Sequence, residues 1–161
     1  MRYELVSRSW LQRTAGCAVL LLLAGCVTPP SAPTASVSPV AAGAARIWFY
    51  RDYEPSVSRN LAEVALNGRV AGYVQPDGSA FYRDVAPGRY LITVASEAKD
   101  ANQEKGVDLS PGQEAFVKIL ASGSWESGGD TTVYGRDTFY VSLVLPQVAR
   151  LELANHPLGG G

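Results

Sequence analysis

Cysteine and histidine are scarce in this chain of 161 residues: there is one His, and the two Cys, Cys17 and Cys26, both fall in the first 26 positions. A Cys₄ or Cys₂His₂ zinc site is thereby excluded. A basic excess is also lacking. The 14 Lys and Arg face 15 Asp and Glu, a net charge of −1, the opposite of the electrostatic footprint of a nucleic-acid binder. No apolar run reaches the roughly 20 residues that a membrane-spanning helix needs. From Arg46 onward no stretch keeps helical periodicity for three turns. Hydrophobic residues are not in short supply, at 47%, so wholesale disorder is excluded and one domain of ordinary size is expected.

The first segment reads as an address. Arg2, Arg8 and Arg13 precede the apolar run Ala15 to Ala24, which ends in small residues. That order marks a secretory signal. At its end stands Leu23-Ala24-Gly25-Cys26, which resembles the lipobox of bacterial lipoproteins. The resemblance implies removal of residues 1–25, a diacylglyceryl thioether on Cys26 and a further acyl chain, such as palmitate, on the new N-terminus. Two or more chains give stable attachment where one does not. Val27 rather than Asp follows the Cys. By the same resemblance this implies the outer membrane, facing the periplasm. Loss of Arg2, Arg8, Arg13 and Glu4 turns 14 basic and 15 acidic residues into 11 and 14, a mature side-chain charge of −3. Such a body is not drawn to nucleic acid. With Cys26 lipidated no thiol remains for a disulfide, so stability must come from core packing.

Residues 26–45 hold the lipidated Cys and a tether with Pro29, Pro30, Pro33 and Pro39 among small residues and no charge. Proline favours an extended, unpaired backbone. From Arg46 the pattern becomes β. Turn signals arrive at Asn67-Gly68, Pro76-Asp77-Gly78, Pro87-Gly88 and Pro111-Gly112. Asn-Gly suits a type I′ hairpin and Pro-Gly a type II turn. Strands are expected over 46–52, 62–67, 69–75, 80–85, 89–96, 105–109, 114–121 and 132–145, the last broken at Gly135. Val148 to Leu153 fits a short helix or a strand. The expected architecture is an all-β, antiparallel two-sheet sandwich over 46–154, Ig-like, with a flexible tail over 155–161.

Four stretches carry a further resemblance: Ile47-Trp48-Phe49-Tyr50-Arg51, Val64 to Gly72, Phe81 to Tyr90, and Leu109 to Lys118. Their order is similar to an uncharacterised family of bacterial lipoproteins, the domain of unknown function 2846. The Pro-Gly turns are similar also to PEGA-type and carboxypeptidase-regulatory-like sandwiches. The family places Pro directly after the Arg of its first strand, whereas Asp52-Tyr53-Glu54 precede Pro55 here. The resemblance implies a sandwich and carries no catalytic residues with it.

The search for chemistry yields no catalytic, cofactor-binding or metal site. His156 lies in a Gly-rich tail and reads as solvated. The pairs Asp52/Glu54 and Glu97/Asp100 read as solvated charge. Ser124-Trp125-Glu126-Ser127 does not match Gly-x-Ser-x-Gly, Asp130 lacks a calcium loop around it, and no phosphate-binding or dinucleotide fingerprint appears. Aromatics are the notable feature. Ile47 and Phe49 share one face of the first strand, and Trp48 and Tyr50 share the other. Either that second face is an open aromatic surface, or the strand is covered on both sides. The polar loop Ser122 to Thr131, with Trp125 at its centre, is either a binding loop or disordered. Trp48, Tyr50 and Trp125 are thus the candidate binding surface. The expected function is a lipid-anchored, non-enzymatic module that binds or scaffolds an envelope protein or glycan. A carbohydrate- or peptidoglycan-binding module is the alternative. An enzyme with an unfamiliar carboxylate site is the third reading.

Overall fold

The computed structural model of the chain describes residues 37–127 and 133–159. The signal segment, Cys26 and most of the proline-rich stretch lie outside the described residues. Eight strands follow one another: β1 (Ala45–Tyr50), β2 (Ala62–Leu66), β3 (Arg69–Val74), β4 (Ala80–Val85), β5 (Gly88–Val94), β6 (Glu104–Leu109), β7 (Glu114–Ser127) and β8 (Val133–Val144). One helix closes the order, α1 (Pro146–Leu153). The strands form two four-stranded sheets, β4-β1-β7-β8 and β3-β2-β5-β6, the two-sheet sandwich that the turn spacing suggests. One pairing departs from the antiparallel expectation: β1 and β7 run parallel. Between them the chain crosses to the second sheet and back twice, with β4 laid down in between, and β7 re-enters the first sheet in the direction of β1.

Two of the expected turns obey their residues, whereas Pro87-Gly88 does not: Gly88 has φ 150° and opens β5 directly instead of taking the type II angle. Asn67 and Gly68 have φ of 50° and 76°, the two positive values that a two-residue type I′ hairpin requires. The Asn67 side chain does more than turn the chain. Its Oδ1 accepts from the Leu91 N–H at 2.8 Å, which pins the hairpin tip to β5. At Pro111-Gly112, Gly112 has φ 76° and the Gln113 N–H donates to the Ser110 carbonyl at 3.0 Å, a type II turn.

Inward residues alternate along the strands and form one buried cluster, with Ile47, Phe49, Val64, Ile92, Val117 and Val141 at its centre. Phe49 stacks on Phe81 with ring centroids 5.1 Å apart. β1 is buried at all six positions, because its outer face is covered as well. Pro146 starts α1 where its missing N–H costs nothing. Ala149 then sets the helix into a second cluster with Trp48, Tyr50, Ala80 and Phe116.

Three further expectations are corrected. The segment 122–127, expected to be loop, continues β7 and pairs residue by residue with 133–138, and β8 runs through Gly135 without a break. Backbone pairing needs no apolar side chains, so composition alone misreads it. The tail is not free. The Ala80 N–H donates to the Pro157 carbonyl at 2.8 Å, and the Gly159 N–H donates to the Ala80 carbonyl at 2.9 Å, which covers the start of edge strand β4. The end of the expected tether is held too, since the Arg46 guanidinium donates to the Ser38 carbonyl at 2.6 Å.

Replacing Phe49 by Ala is expected to cost about 3–5 kcal/mol, read from urea denaturation. Leu151→Ala, on the exposed side of α1, is expected to stay within about 0.5 kcal/mol of the parent.

Candidate functional site

The outer face of the first sheet is the natural place to begin, because Trp48 and Tyr50 project there. Neither is a surface residue: Trp48 is 7% exposed and Tyr50 fully buried. Of the two readings of that face, two-sided burial is the one that holds, so Trp48 and Tyr50 do not form an exposed binding surface. The Trp48 ring lies 4.9 Å from Tyr82 and 6.4 Å from Phe116. Its indole N–H donates to Glu114 Oε1 at 2.9 Å, and Arg150 of α1 donates to Glu114 Oε2 at 2.9 Å. The Trp125 backbone sits in β7 opposite Gly135, and its side chain lies outside the described residues.

Beneath the end of α1 the polar groups bind one another. Tyr50 OH donates to Glu152 Oε2 at 2.7 Å. Lys118 Nζ lies 2.8 Å from Asp52 and 3.2 Å from Glu152. His156 is not the solvated residue that its Gly-rich surroundings imply. Its side chain is 9% exposed, with Nε2 3.5 Å from Asp52 Oδ1. Its Nδ1 lies 2.8 Å from the Glu152 carbonyl, and its ring stands edge-on to Tyr50. Asp52 is accordingly an ion-pair partner rather than free solvated charge. Burial pushes the Tyr50 hydroxyl well above its ordinary range, and the Glu152 carboxylate that it serves pushes it further. These groups strap the tail to the sheet. Among the described residues no cluster of three or more His, Cys, Asp or Glu is placed to hold a metal ion.

A second polar network was not foreseen. The loop between β1 and β2 folds over a cleft of about 530 Å³ lined by Pro55 to Asn60 and Asp137. Ser58 Oγ donates to the Asp137 carboxylate, and Asn60 Nδ2 does so at 2.8 Å. Arg51, 1% exposed, donates to the carbonyls of Asn60 and Ser58 at 2.8 and 2.9 Å. Burial lowers its proton affinity, and Asp137 opposes that. The network fixes the loop. The period-two spacing of Asp137, Phe139 and Val141 carried the signal: an acid on the inward face needs partners.

The third feature is open. Where edge strands β3 and β4 face each other, a groove of about 580 Å³ runs between the sheets. Leu66, Ala71, Val85 and Tyr90 form its floor, resting on the core. Arg69, Arg83 and Asp84 supply its charge. Asp84 is fully engaged by Arg46, at 2.6 Å from Nε and 2.9 Å from Nη2, and hydrogen bonding from Arg46 holds its carboxyl below the usual range. Arg83 donates to the carbonyls of Ala71 at 2.7 Å and Tyr82 at 3.0 Å. Of the three features, this groove is the one with free charged donors beside apolar surface, the arrangement of a binding site. No protein-family model matches the chain, and no curated protein matches it.

The Tyr50–Glu152 contact has a pH signature. A hydroxyl whose folded-state pKa is raised stabilises the fold fully below about pH 10 and loses that contribution as pH rises further. Tyr50→Phe is expected to cost about 2 kcal/mol at neutral pH and to flatten the alkaline loss. Urea denaturation at neutral and alkaline pH reads both effects.

Proposed function

We propose that the chain is a lipid-anchored lipoprotein of the cell envelope, at the periplasmic face of the outer membrane, whose sandwich serves as a non-enzymatic binding or scaffolding module. The observation that carries this reading is Leu23-Ala24-Gly25-Cys26 at the end of a short apolar run behind three arginines. The fold is compatible with it. The sandwich begins at Ala45, and the chain is held at Ser38, with eleven residues, 27–37, between that point and Cys26. At about 3.1 Å each, a chain of that length reaches at most roughly 34 Å. The likeness to the domain of unknown function 2846 supports the same reading. Its four stretches fall on β1, the β2–β3 hairpin, the β4–β5 connection between the sheets and the β6–β7 turn. A sugar-stacking role for Trp48 and Tyr50 loses its footing, since both rings are covered.

Cys26→Ser is expected to abolish incorporation of a palmitate analogue and to shift the protein out of the membrane fraction or stall its processing. Labelling and membrane partition equal to the parent would refute the anchor.

A further inference from the structure

The groove between β3 and β4 has the chemistry of a specific ligand. We propose that it binds one amphipathic anion: a phosphate ester head held by Arg69 and Arg83, with its apolar stem on Leu66, Ala71, Val85 and Tyr90. The proposal rests on the reading of the sandwich as a binding module and is independent of the lipid on Cys26.

Charge is the first argument. The mature chain is acidic overall, at −3, yet this groove is cationic. Its one carboxylate, Asp84, has both oxygens committed to Arg46. Among the described residues, neither Arg69 nor Arg83 has a carboxylate within 4 Å, a state they share with Arg51, Arg59, Arg89, Lys99 and Lys105, and only these two line the groove. Two guanidiniums without counter-ions beside apolar surface favour an anion that brings a stem of its own.

Preorganisation is the second. Arg83 is fixed by its bonds to the Ala71 and Tyr82 carbonyls and by the Phe81 ring 4.8 Å below its guanidinium carbon. A Cβ at Gly72 would come within 2.8 Å of the Phe81 ring and 3.1 Å of Arg83 Nη2, so glycine there leaves room for the ring and for the guanidinium above it. A donor already held in place loses little entropy when an anion arrives.

Size narrows the class. A groove of about 580 Å³ admits a head group, a glycerol and the first methylenes of a chain, and it is too small for two full acyl chains. Val85 pairs with Ala45, the first residue of β1, and Arg46 ties Asp84 and Ser38 together. The groove therefore opens at the end of the sandwich where β1 begins.

The test uses the full processed chain, in phosphatidylcholine nanodiscs if it carries lipid and in solution if it does not, so that failure of the anchor and failure of the groove are separate results. In one arm, monomeric dihexanoyl phosphatidylglycerol and its phosphatidylcholine counterpart are titrated while backbone amide shifts are followed. In the other, the discs themselves contain phosphatidylglycerol. The expected result is saturable shifts at Arg69, Ala71 and Val85 with the anionic lipid alone. Arg69→Gln, on an exposed residue that the fold does not need, should weaken binding about tenfold. Shifts in the second arm assign the ligand to the bilayer, and shifts in the first arm alone assign it to a free amphiphile. Equal shifts with both head groups, an undiminished response in Arg69→Gln, saturation by an acidic peptide instead, or no shift in either arm would overturn the proposal.

Discussion

Burial of β1 on both faces is the constraint from which the rest of the molecule follows. A strand in a two-layer sandwich ordinarily shows one face to water. This one carries Ile47 and Phe49 on one side and Trp48 and Tyr50 on the other, and none of the four is exposed. The inner pair is satisfied by the second sheet. The outer pair obliges the chain to supply another cover, which α1 and the segment behind it provide. Aromatic contacts of this kind contribute about 0.5–1.5 kcal/mol each beyond the area they bury. The indole N–H and the phenol O–H would each cost energy if left unpaired under a helix. Glu114 and Glu152 accept them, and Arg150 and Lys118 in turn hold those carboxylates. The helix is thus fastened by the polar atoms of the rings that it covers.

That arrangement redistributes the surface available for recognition. The broad face of the first sheet is taken, and the β1–β2 loop is locked over its own cleft by Ser58, Asn60, Arg51 and Asp137. The side at β3 and β4 stays open, and there two arginines stand beside apolar residues that rest on the core. The partition is physical. Polar groups that close loops or fasten the helix are paired with one another, and those in the groove keep donors free.

The strands and turns were legible because their signals are local. Asn67-Gly68 and Pro111-Gly112 demand particular backbone angles, and they take them. Alternation placed most strand limits within one or two residues. What was hidden depends on contacts distant in sequence. Nothing near Ile47 announces that β7 will lie parallel to it. The choice between an open aromatic face and a covered one rested on Ala149, about a hundred residues away, whose small side chain lets α1 approach. His156 and Pro157-Leu158-Gly159 looked unstructured because glycine and proline are read as loop. Their order comes from Asp52 and from the unpaired edge of β4. The groove could not be seen at all, because Arg69 on β3 and Arg83 on β4 come to line one groove only once the two sheets are stacked.

The closure of the aromatic face is best tested on Trp48 itself. The chain has three tryptophans, at 10, 48 and 125, so W10F/W125F leaves Trp48 as the sole emitter. A covered indole should give blue-shifted fluorescence that acrylamide barely quenches, becoming red-shifted and quenchable when the chain is cut after Leu145. Emission already red-shifted and freely quenched in the uncut protein would contradict the account.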